Sequence, residues 1–384
     1  MLQNVRGGID NISQIDGFLK GKRIGFIGGP ASVDRRVVSA IDILAEKYRL
    51  SALFSPEHGI RGDIQAGGNV EAYTDAKLGI PVYSVYGGDN RPAPETLKDI
   101  DVMIVDLQEA SVRFYTFLYT LSYAMAACAG AKIPVVVTDR ATPLGGDAVA
   151  GTICEPAFAS FVGDYELPTR IGLTIGEYAR YVNDHLNLGC ELTIVPVTGW
   201  KRSAYFDETD LPWVLPSPNI PTVDTNFIYT GTCVFEGVNV SEGRGTTKPF
   251  ELIGAPWLDT DALADNMAAR GTPGALLRKT WFTPAFSKYA GELCAAVQIH
   301  VTDRAMCEPF RLGLVLLEEI RRLHPDKLSY ISHGEGDSAT YHIDRLLGTD
   351  AFRKGRLDAE ALIDAHAPAI EAFRVKKTKY HMYD

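Results

Sequence analysis

In the first half of the chain, short apolar runs alternate with segments long enough to form helices. The runs are rich in β-branched side chains, which is typical of parallel strands that are buried on both faces of a sheet. This pattern predicts a doubly wound, Rossmann-like α/β fold. The predicted strands lie at residues 23–27, 50–54, 81–85, 101–105 and 133–138, with helices at 35–48, 115–129 and 174–186.

The last third of the chain repeats the alternation on a smaller scale. A strand at 294–301 precedes a helix at 309–323 and then a helical tail, whose basic end at 374–380 is expected to be solvated. We therefore predict two domains. The Rossmann-like domain with the catalytic loops covers residues 20–255, and a smaller α/β domain covers 256–384.

Polar and acidic residues follow the predicted strands directly. They include Glu57 after the second strand, Asp106 and Glu109 after another, and Asp139 after the last. Ligands of such folds bind beyond the carboxyl ends of the strands, so a site is expected there. The first strand ends in Gly28-Gly29-Pro30, which lacks the G-x-G-x-x-G spacing of a dinucleotide site. No nucleotide cofactor is predicted.

Charge and composition narrow the function further. The formal net charge is −10, which argues against binding to nucleic acid or to anionic membranes. No apolar run approaches the roughly 20 residues of a membrane helix, and the N-terminus shows no secretory signal. The scattered cysteines are typical of reduced core thiols. We expect a cytoplasmic protein, or a periplasmic or secreted one if a leader has been trimmed.

Glu57 is the strongest candidate for an acid catalyst. It lies between Pro56 and His58-Gly59 at a strand end, where a partly dry cleft would raise the pKa of a carboxyl group. An exposed loop glutamate, or a partner of a helix N-terminus, is the alternative. His58 could orient Glu57 or contact a substrate. Because no second histidine follows at a ligand spacing, no metal site is predicted.

A second group of candidates follows the strand at 101–105. Asp106 and Arg113 suit the wall of a polar cleft, together with Glu109 and Tyr115. The alternative is structural: Asp106 would cap the next helix and Arg113 would pair with an acid. Ser217, Asn219 and Thr222 alternate with three prolines, which predicts a rigid polar wall.

The most charge-dense stretch is residues 235–251, which contains three carboxylates, one Arg, one Lys and three glycines. We interpret it as a loop that leaves a strand at 232–235. Its Asn239, Ser241 and Glu242 could bind sugar hydroxyls, and Arg244 could hold a carboxylate through two parallel bonds. A structural ion pair of Arg244 with Glu236 or Glu242 is the competing interpretation.

Several of these segments occur in one order that resembles the exo-β-N-acetylmuramidase family of the NamZ type. They are Phe-Ser-Pro-Glu-His-Gly at 54–59, Asp-Leu-Gln at 106–108, Arg-Phe-Tyr-Thr at 113–116, Pro-Ser-Pro-Asn-Ile-Pro-Thr at 216–222, the stretch 235–251, and Ile-His-Val-Thr-Asp-Arg at 299–304. The resemblance runs from about residue 20 almost to the C-terminus.

The resemblance implies a glycosidase that removes N-acetylmuramic acid from the non-reducing end of peptidoglycan fragments during cell-wall turnover. It implies a cleft between the two domains, a catalytic Glu57, no cofactor, and a sugar or muropeptide as the small-molecule partner. The chain departs from the family at Gly28-Gly29, Glu109-Ala110-Ser111, Ala141-Thr142 and Ile171. An altered amino-sugar preference, or a non-catalytic sugar-binding relative, is therefore an alternative.

Glycoside cleavage needs a second group besides the acid. Asp106, Glu109, Glu236 and Glu242 are candidates, or the substrate's own acetamido group attacks. We assign catalysis to Glu57, Asp106 and Glu242, and propose Arg244, Arg113 or Arg140 for the lactyl carboxylate of the sugar. The predicted substrate-binding residues are His58, Gln108, Glu109, Arg113, Tyr115, Arg140, Asn219, Glu236, Asn239, Ser241 and Arg244.

Overall fold

The structure is a computed structural model that describes residues 1–62, 72–334 and 339–384. Within these ranges the strands are β1 (Arg23–Gly28), β2 (Arg49–Ser55), β3 (Tyr73–Thr74), β4 (Pro81–Ser84), β5 (Val102–Asp106), β6 (Val135–Thr138), β7 (Ala150–Ile153), β8 (Pro168–Arg170), β9 (Leu192–Val195), β10 (Leu252–Ala255), β11 (Ala275–Phe282), β12 (Cys294–Val301), β13 (Ser332–His333) and β14 (Thr340–Tyr341).

The α-helices of the described residues surround these strands. They are α1 (Asp16–Leu19), α2 (Ala40–Lys47), α3 (Pro94–Leu97), α4 (Phe117–Ala131), α5 (Ile175–His185), α6 (Val223–Thr232), α7 (Thr260–Arg270), α8 (Pro309–Leu323), α9 (His342–Leu347) and α10 (Ala359–Lys377). None of them combines the length and the apolarity that crossing a membrane requires.

The largest sheet has the strand order β3-β4-β2-β1-β5-β6-β9, and all its pairings are parallel except that of β3 with β4. The chain moves outward from β1 through β2 to β4, and then returns to the other side of β1 with β5. The point of reversal therefore lies between β1 and β5, where Gly28 is paired with Asp106. This is the predicted doubly wound α/β fold, and the prediction is confirmed.

Side chains of β1 alternate between two apolar layers, as expected for a sheet that is covered on both faces. Ile24 and Phe26 pack with Ile41 and Leu44 of α2. Ile27 belongs to the layer on the other face, which includes α4 and α5. Burial on both faces explains the continuous apolar runs of the sequence.

A smaller antiparallel sheet, in the order β10-β12-β11, forms the second domain with α7 against it and α8 packed on α7. The predicted smaller α/β domain is therefore present. β10 ends at Ala255 and pairs with β12, so the predicted boundary after residue 255 lies between two paired strands of this sheet.

The strand predicted at residues 232–235 is wrong, because α6 and a following 3-10 turn, Cys233–Gly237, occupy this region. Thr222 caps α6 by accepting a hydrogen bond from the Thr225 amide at 3.1 Å. α6 also packs closely on α8: a Cβ at Gly231 would lie 1.7 Å from the Pro309 carbonyl oxygen. Tertiary packing therefore overrides the β-branched pattern.

The basic tail is also more than a solvated terminus. Lys377 is buried and its Nζ donates to the carbonyl oxygens of Gly146 and Gly172, the latter at 2.8 Å. Burial lowers the pKa of Lys377 to about 8. The prediction was wrong for this residue, since its ammonium group holds the tail against the Rossmann-like domain.

Candidate active site

A cleft of about 860 Å³ opens between the two domains. Its lining comes from the turns after β2 and β4, the segment before α4, residues 161–162, the proline-rich strip at 216–221, α6 and the loop after it, the hairpin between β11 and β12, and the start of α9. The lining residues are Glu57, His58, Tyr86, Phe114, Tyr115, Thr116, Phe161, Val162, Ser217, Asn219, Ile220, Tyr229, Glu236, Glu242, Arg244, Phe250, Phe286, Ser287, Lys288 and His342.

Glu57 reaches the cleft from the turn that follows β2. The Thr116 hydroxyl, in the segment before α4, donates to Glu57 Oε2 at 2.7 Å. Tyr86 provides a second hydroxyl contact to the same carboxyl group. Burial, followed by the nearby charge of Glu57, raises the pKa of Tyr86 to about 12, so Tyr86 stays a protonated donor. Two hydroxyl groups therefore orient the predicted acid.

Three lining residues other than glycine have a left-handed backbone. The φ angles are 74° at His58, 64° at Phe250 and 73° at Ser287. Such conformations cost of order 1–3 kcal/mol each and concentrate at functional sites, where the surrounding fold holds them in place. The strain occurs on both walls of the cleft, which marks it as a built site rather than a gap between domains.

The cleft lining also carries a chain of alternating charges on the loop after α6 and the hairpin between β11 and β12. Arg244 Nη2 lies 2.5 Å from Glu236 Oε1, and Arg244 Nε lies 3.3 Å from Glu242 Oε1. Lys288 Nζ completes the chain at 2.8 Å from Glu242 Oε2. Both ion pairs considered for Arg244 are therefore present, and Arg244 still lines the cleft.

Glu236 stays ionised in this setting. Burial alone would raise the pKa of its carboxyl group, but the charge and hydrogen bond of Arg244, and His342 with its Nε2 3.8 Å away, lower it to about 2. The same pairing raises the pKa of Arg244 against the effect of burial. The cleft thus offers a permanent carboxylate and a permanent guanidinium side by side.

Tyr115 and Asn219 form a buried polar end of the cleft. The Tyr115 hydroxyl donates to the Pro216 carbonyl oxygen at 2.7 Å and holds the proline-rich strip in place. The side-chain Nδ2 of Asn219 is buried and finds no acceptor among the described residues. A buried amide without an acceptor is costly, so this donor is suited to a ligand.

Asp106, Gln108 and Arg140 do not line this cleft. Arg140 donates to Asp106 Oδ1 at 2.8 Å and to Gln108 Oε1 at 3.0 Å, and Thr138 donates to Asp106 Oδ2 at 2.7 Å. Burial raises the pKa of Asp106 despite the charge of Arg140. The three residues form a separate internal network at the reversal point of the sheet.

Glu109 and Arg113 lie behind the cleft rather than in it. Arg113 is fully buried and donates to the carbonyl oxygens of Thr152, Leu167 and Leu346 at 2.6–2.8 Å. Burial raises the pKa of Glu109 to about 8, and its Oε2 accepts from the Ser111 amide. These contacts describe internal supports of the fold.

Asn239 and Ser241 also have structural partners. Asn239 Nδ2 donates to the Lys327 carbonyl oxygen at 2.8 Å, and its Oδ1 accepts from the Ser329 amide at 2.8 Å. Ser241 is buried and accepts from the Gly243 amide at 3.2 Å. Of the predicted set, the cleft brings together Glu57, His58, Tyr115, Asn219, Glu236, Glu242 and Arg244.

The sequence assigns no role to twelve of the lining residues. Four of them, Phe114, Thr116, Ile220 and Phe250, belong to segments that carry the family resemblance. The others come from separate parts of the chain and show no local pattern; they are Tyr86, Phe161, Val162, Tyr229, Phe286, Ser287, Lys288 and His342.

The family models of the exo-β-N-acetylmuramidase NamZ match nearly the whole chain. The N-terminal model matches residues 24–224 and the C-terminal model matches residues 227–383. The peptidoglycan β-N-acetylmuramidase NamZ of Bacillus subtilis (strain 168) is 44% identical over 370 residues, which cover 95% of this chain and 88% of that protein. The predicted family is therefore confirmed.

Two crystal structures of DUF1343 family proteins from Bacteroides fragilis share the fold. One aligns with a TM-score of 0.89 at 32% identity, and the other with 0.78 at 27%. Each alignment covers 99% of both chains. The two-domain architecture of the present chain is therefore shared over its full length.

Proposed function

This chain belongs to the exo-β-N-acetylmuramidase NamZ family, and we propose that it hydrolyses peptidoglycan fragments by releasing N-acetylmuramic acid from their non-reducing end. One observation carries the proposal. The carboxyl group of Glu57, oriented by two hydroxyl groups, lines the same cleft as Glu236, Glu242 and Arg244. Most glycosidases use a pair of carboxyl groups in their cleft as catalytic residues.

Glu57 is the proposed general acid. In its protonated form it gives its proton to the glycosidic oxygen as the bond from this oxygen to the anomeric carbon breaks. The leaving sugar then departs as a neutral alcohol. Thr116 and Tyr86 act as positioning residues, because their contacts fix the direction of the carboxyl group.

Glu236 is the better supported second carboxylate. Its side chain is 23% exposed, compared with 3% for Glu242, and its low pKa keeps it anionic. An anion here stabilises positive charge at the anomeric carbon, or orients the acetamido group or water that attacks it. Glu242, held between Arg244 and Lys288, positions these two cations.

Arg244 is the proposed partner of the lactyl carboxylate of the sugar. Glu236 contacts its Nη2 and Glu242 its Nε, so two of the five N–H directions of the guanidinium are engaged and others remain for a ligand. Arg113 and Arg140 lie outside the cleft lining. The Nδ2 group of Asn219, which has no acceptor among the described residues, is the proposed hydrogen-bond donor to the carbonyl oxygen of the 2-acetamido group.

The test is the Glu57→Gln variant assayed on the disaccharide N-acetylmuramyl-N-acetylglucosamine, whose leaving sugar needs a proton. The unsubstituted protein is assayed in parallel on para-nitrophenyl N-acetylmuramide and on the N-acetylglucosaminide to report its sugar preference. We expect turnover of the disaccharide by Glu57→Gln to fall by about 10²–10⁴-fold, because the amide cannot supply the proton. Glu46→Gln, an exposed carboxylate of α2, is the matched control and should retain turnover.

Full activity of the Glu57→Gln variant, with an unchanged melting temperature, would refute the assignment of the acid. Preferred turnover of the glucosaminide by the unsubstituted protein would instead favour an altered sugar preference. Binding of the muramide with no hydrolysis would favour a sugar-binding relative.

A further inference from the structure

Phe286 is an exposed aromatic residue that lines the cleft. It lies on the cleft hairpin, which we define as residues 283–293 between β11 and β12, and 46% of its surface is accessible. Large exposed aromatic rings are unfavourable in water and, within a groove, mark places where a ligand binds. No step of the proposed reaction uses this ring.

The cleft hairpin is fixed by polar contacts to the loop after α6. Lys288 Nζ donates to the carbonyl oxygens of Phe235 at 2.6 Å and of Val240 at 3.1 Å, besides its pairing with Glu242. The Tyr289 hydroxyl donates to the Asn239 carbonyl oxygen at 2.6 Å. Phe286 is therefore presented by a rigid support.

Backbone geometry next to Phe286 supports the same conclusion. Ser287 and Tyr289 have φ angles of 73° and 58°, which cost energy in residues other than glycine. The Ala285 amide donates to the Gly245 carbonyl oxygen at 2.9 Å. A Cβ at Gly245 would lie 2.5 Å from the Phe286 carbonyl oxygen, so only glycine allows the loop to approach this closely.

The lining residues are buried to different degrees, which distinguishes a deep end of the cleft from its rim. Tyr115 and Asn219 are 4% and 5% exposed, which makes their end the deep one. Tyr86 and Phe161 are half-buried and their rings lie 5.8 Å apart, whereas Phe286 is exposed at the rim. An enzyme that removes a terminal sugar encloses that sugar, so the following sugar must lie toward the rim.

We propose that Phe286 is the stacking platform for the sugar ring that follows the cleaved bond, which makes it a residue of the leaving-group subsite. The proposal rests on the proposed function, because that function defines which sugar is terminal. An apolar pyranose face placed on Phe286 removes both surfaces from water. The cleft of about 860 Å³ has room beyond the terminal sugar for this second ring.

The experiment compares two substrates that share the terminal sugar and differ in the leaving group. One is the disaccharide N-acetylmuramyl-N-acetylglucosamine, and the other is N-acetylmuramyl β-fluoride, whose leaving group needs no platform. For Phe286→Ala we expect kcat/KM on the disaccharide to fall roughly tenfold and kcat/KM on the fluoride to stay unchanged. Phe286→Tyr keeps the ring and should restore disaccharide turnover.

Trp281→Ala is the matched control, since Trp281 is an exposed aromatic residue of β11 outside the cleft lining and is 62% accessible. This variant should leave both substrates unaffected. Equal losses on both substrates, or no loss on either, for Phe286→Ala would overturn the platform. Absence of turnover of both substrates by the unsubstituted protein would instead refute the proposed function, and the platform with it.

Discussion

Two polar networks of this protein join carboxylates to arginines at comparable distances, yet only one of them faces open space. At the reversal point of the sheet, Arg140 Nη1 lies 2.8 Å from Asp106 Oδ1, beside a cavity of about 10 Å³. In the cleft, Arg244 Nη2 lies 2.5 Å from Glu236 Oε1, beside about 860 Å³. The presence of an ion pair therefore does not distinguish a ligand-binding site from a network that only stabilises the fold.

The difference lies in what covers each network. The crevice at the reversal point, where doubly wound folds usually bind ligands, is closed by the N-terminal segment and by residues near 206–212. Arg140 also donates to the Val33 carbonyl oxygen at 3.2 Å, which uses another of its donors internally. In the cleft the charged groups of Glu236, Glu242 and Arg244 line the same open space as Glu57, so they stay available to a ligand.

The largest expected effect concerns stability at the reversal point. Arg140→Ala leaves Asp106 buried without its cationic partner, which should reduce the free energy of unfolding by about 3–5 kcal/mol. Activity per folded molecule should remain, because Arg140 does not line the cleft. Urea denaturation, combined with an assay corrected for the folded fraction, measures both quantities.

The control for this variant is Arg374→Ala. Arg374 and its partner Glu371 are 50% and 59% exposed, and such surface pairs contribute between about 0 and 1 kcal/mol. If Arg140→Ala proved as stable as Arg374→Ala but inactive, the reversal point would be the site and the comparison of the two networks would be reversed.

A smaller but more specific effect is expected in the cleft. Arg244→Ala should lower kcat/KM on para-nitrophenyl N-acetylmuramide by about 10–100-fold, the range of a charge-assisted hydrogen bond of about 1.5–3 kcal/mol. The reason is loss of the proposed contact with the lactyl carboxylate. Parallel kinetics on a reduced muramide, in which this carboxylate is an alcohol, should show a clearly smaller loss.

Arg304→Ala provides a closely matched control. Arg304 lies 2.6 Å from carboxylate oxygens of both Asp207 and Asp224, and its guanidinium lies 5.1 Å from the Tyr205 ring. Arg244 similarly joins two carboxylates beside Phe250, at 5.2 Å. Equal losses of activity in the two variants would indicate a general structural effect, and equal losses on the two muramides would remove the lactyl contact from the proposal.

The sequence was sufficient for the parallel sheet and for one wall of the cleft. Burial on both faces leaves a continuous apolar run in each strand, and the residue after such a run lies at the edge where ligands bind. Glu57 was found in this way. The same rule also selected Asp106 and Arg140, which do not line the cleft. The rule considers only the position of a residue at a strand end and not the segments that close off that end.

The opposite wall depends on distant contacts that leave no local pattern. Lys288 pairs with Glu242, which lies 46 residues earlier in the chain. His342 lies beside Glu236, from which it is separated by an even longer stretch of sequence. The helix at 223–232 was missed for a related reason, since its close packing on α8 outweighs local propensity. The sequence predicts helices and strands correctly where apolar residues recur with a regular period. It does not predict a wall of the cleft that is formed by contacts between distant segments of the chain.

The smallest expected effect contrasts a carboxyl group buried in the fold with one in the cleft, by the sign of a pH dependence. Asp139 precedes Arg140 in the chain and accepts hydrogen bonds from Thr174 and Tyr383, and burial raises its pKa from 3.8 to about 6. Its contribution to stability is complete below pH 3.8 and is lost as the pH rises through 6. For Glu236 the pKa falls from 4.5 to about 2, so its contribution is complete above pH 4.5 and is lost as the pH falls toward 2.

The free energy of unfolding of Asp139→Asn and Glu236→Gln, each subtracted from that of the unsubstituted protein across pH 2.5–7, measures this contrast. The difference should decrease with rising pH for Asp139 and increase with rising pH for Glu236, each by at most about 1.4 kcal/mol per pH unit, the limit for one proton. Subtraction removes the acid sensitivity that the three proteins share. Slopes of the same sign would show that burial dominates both carboxyl groups, and would remove Arg244 as the group that keeps Glu236 anionic for catalysis.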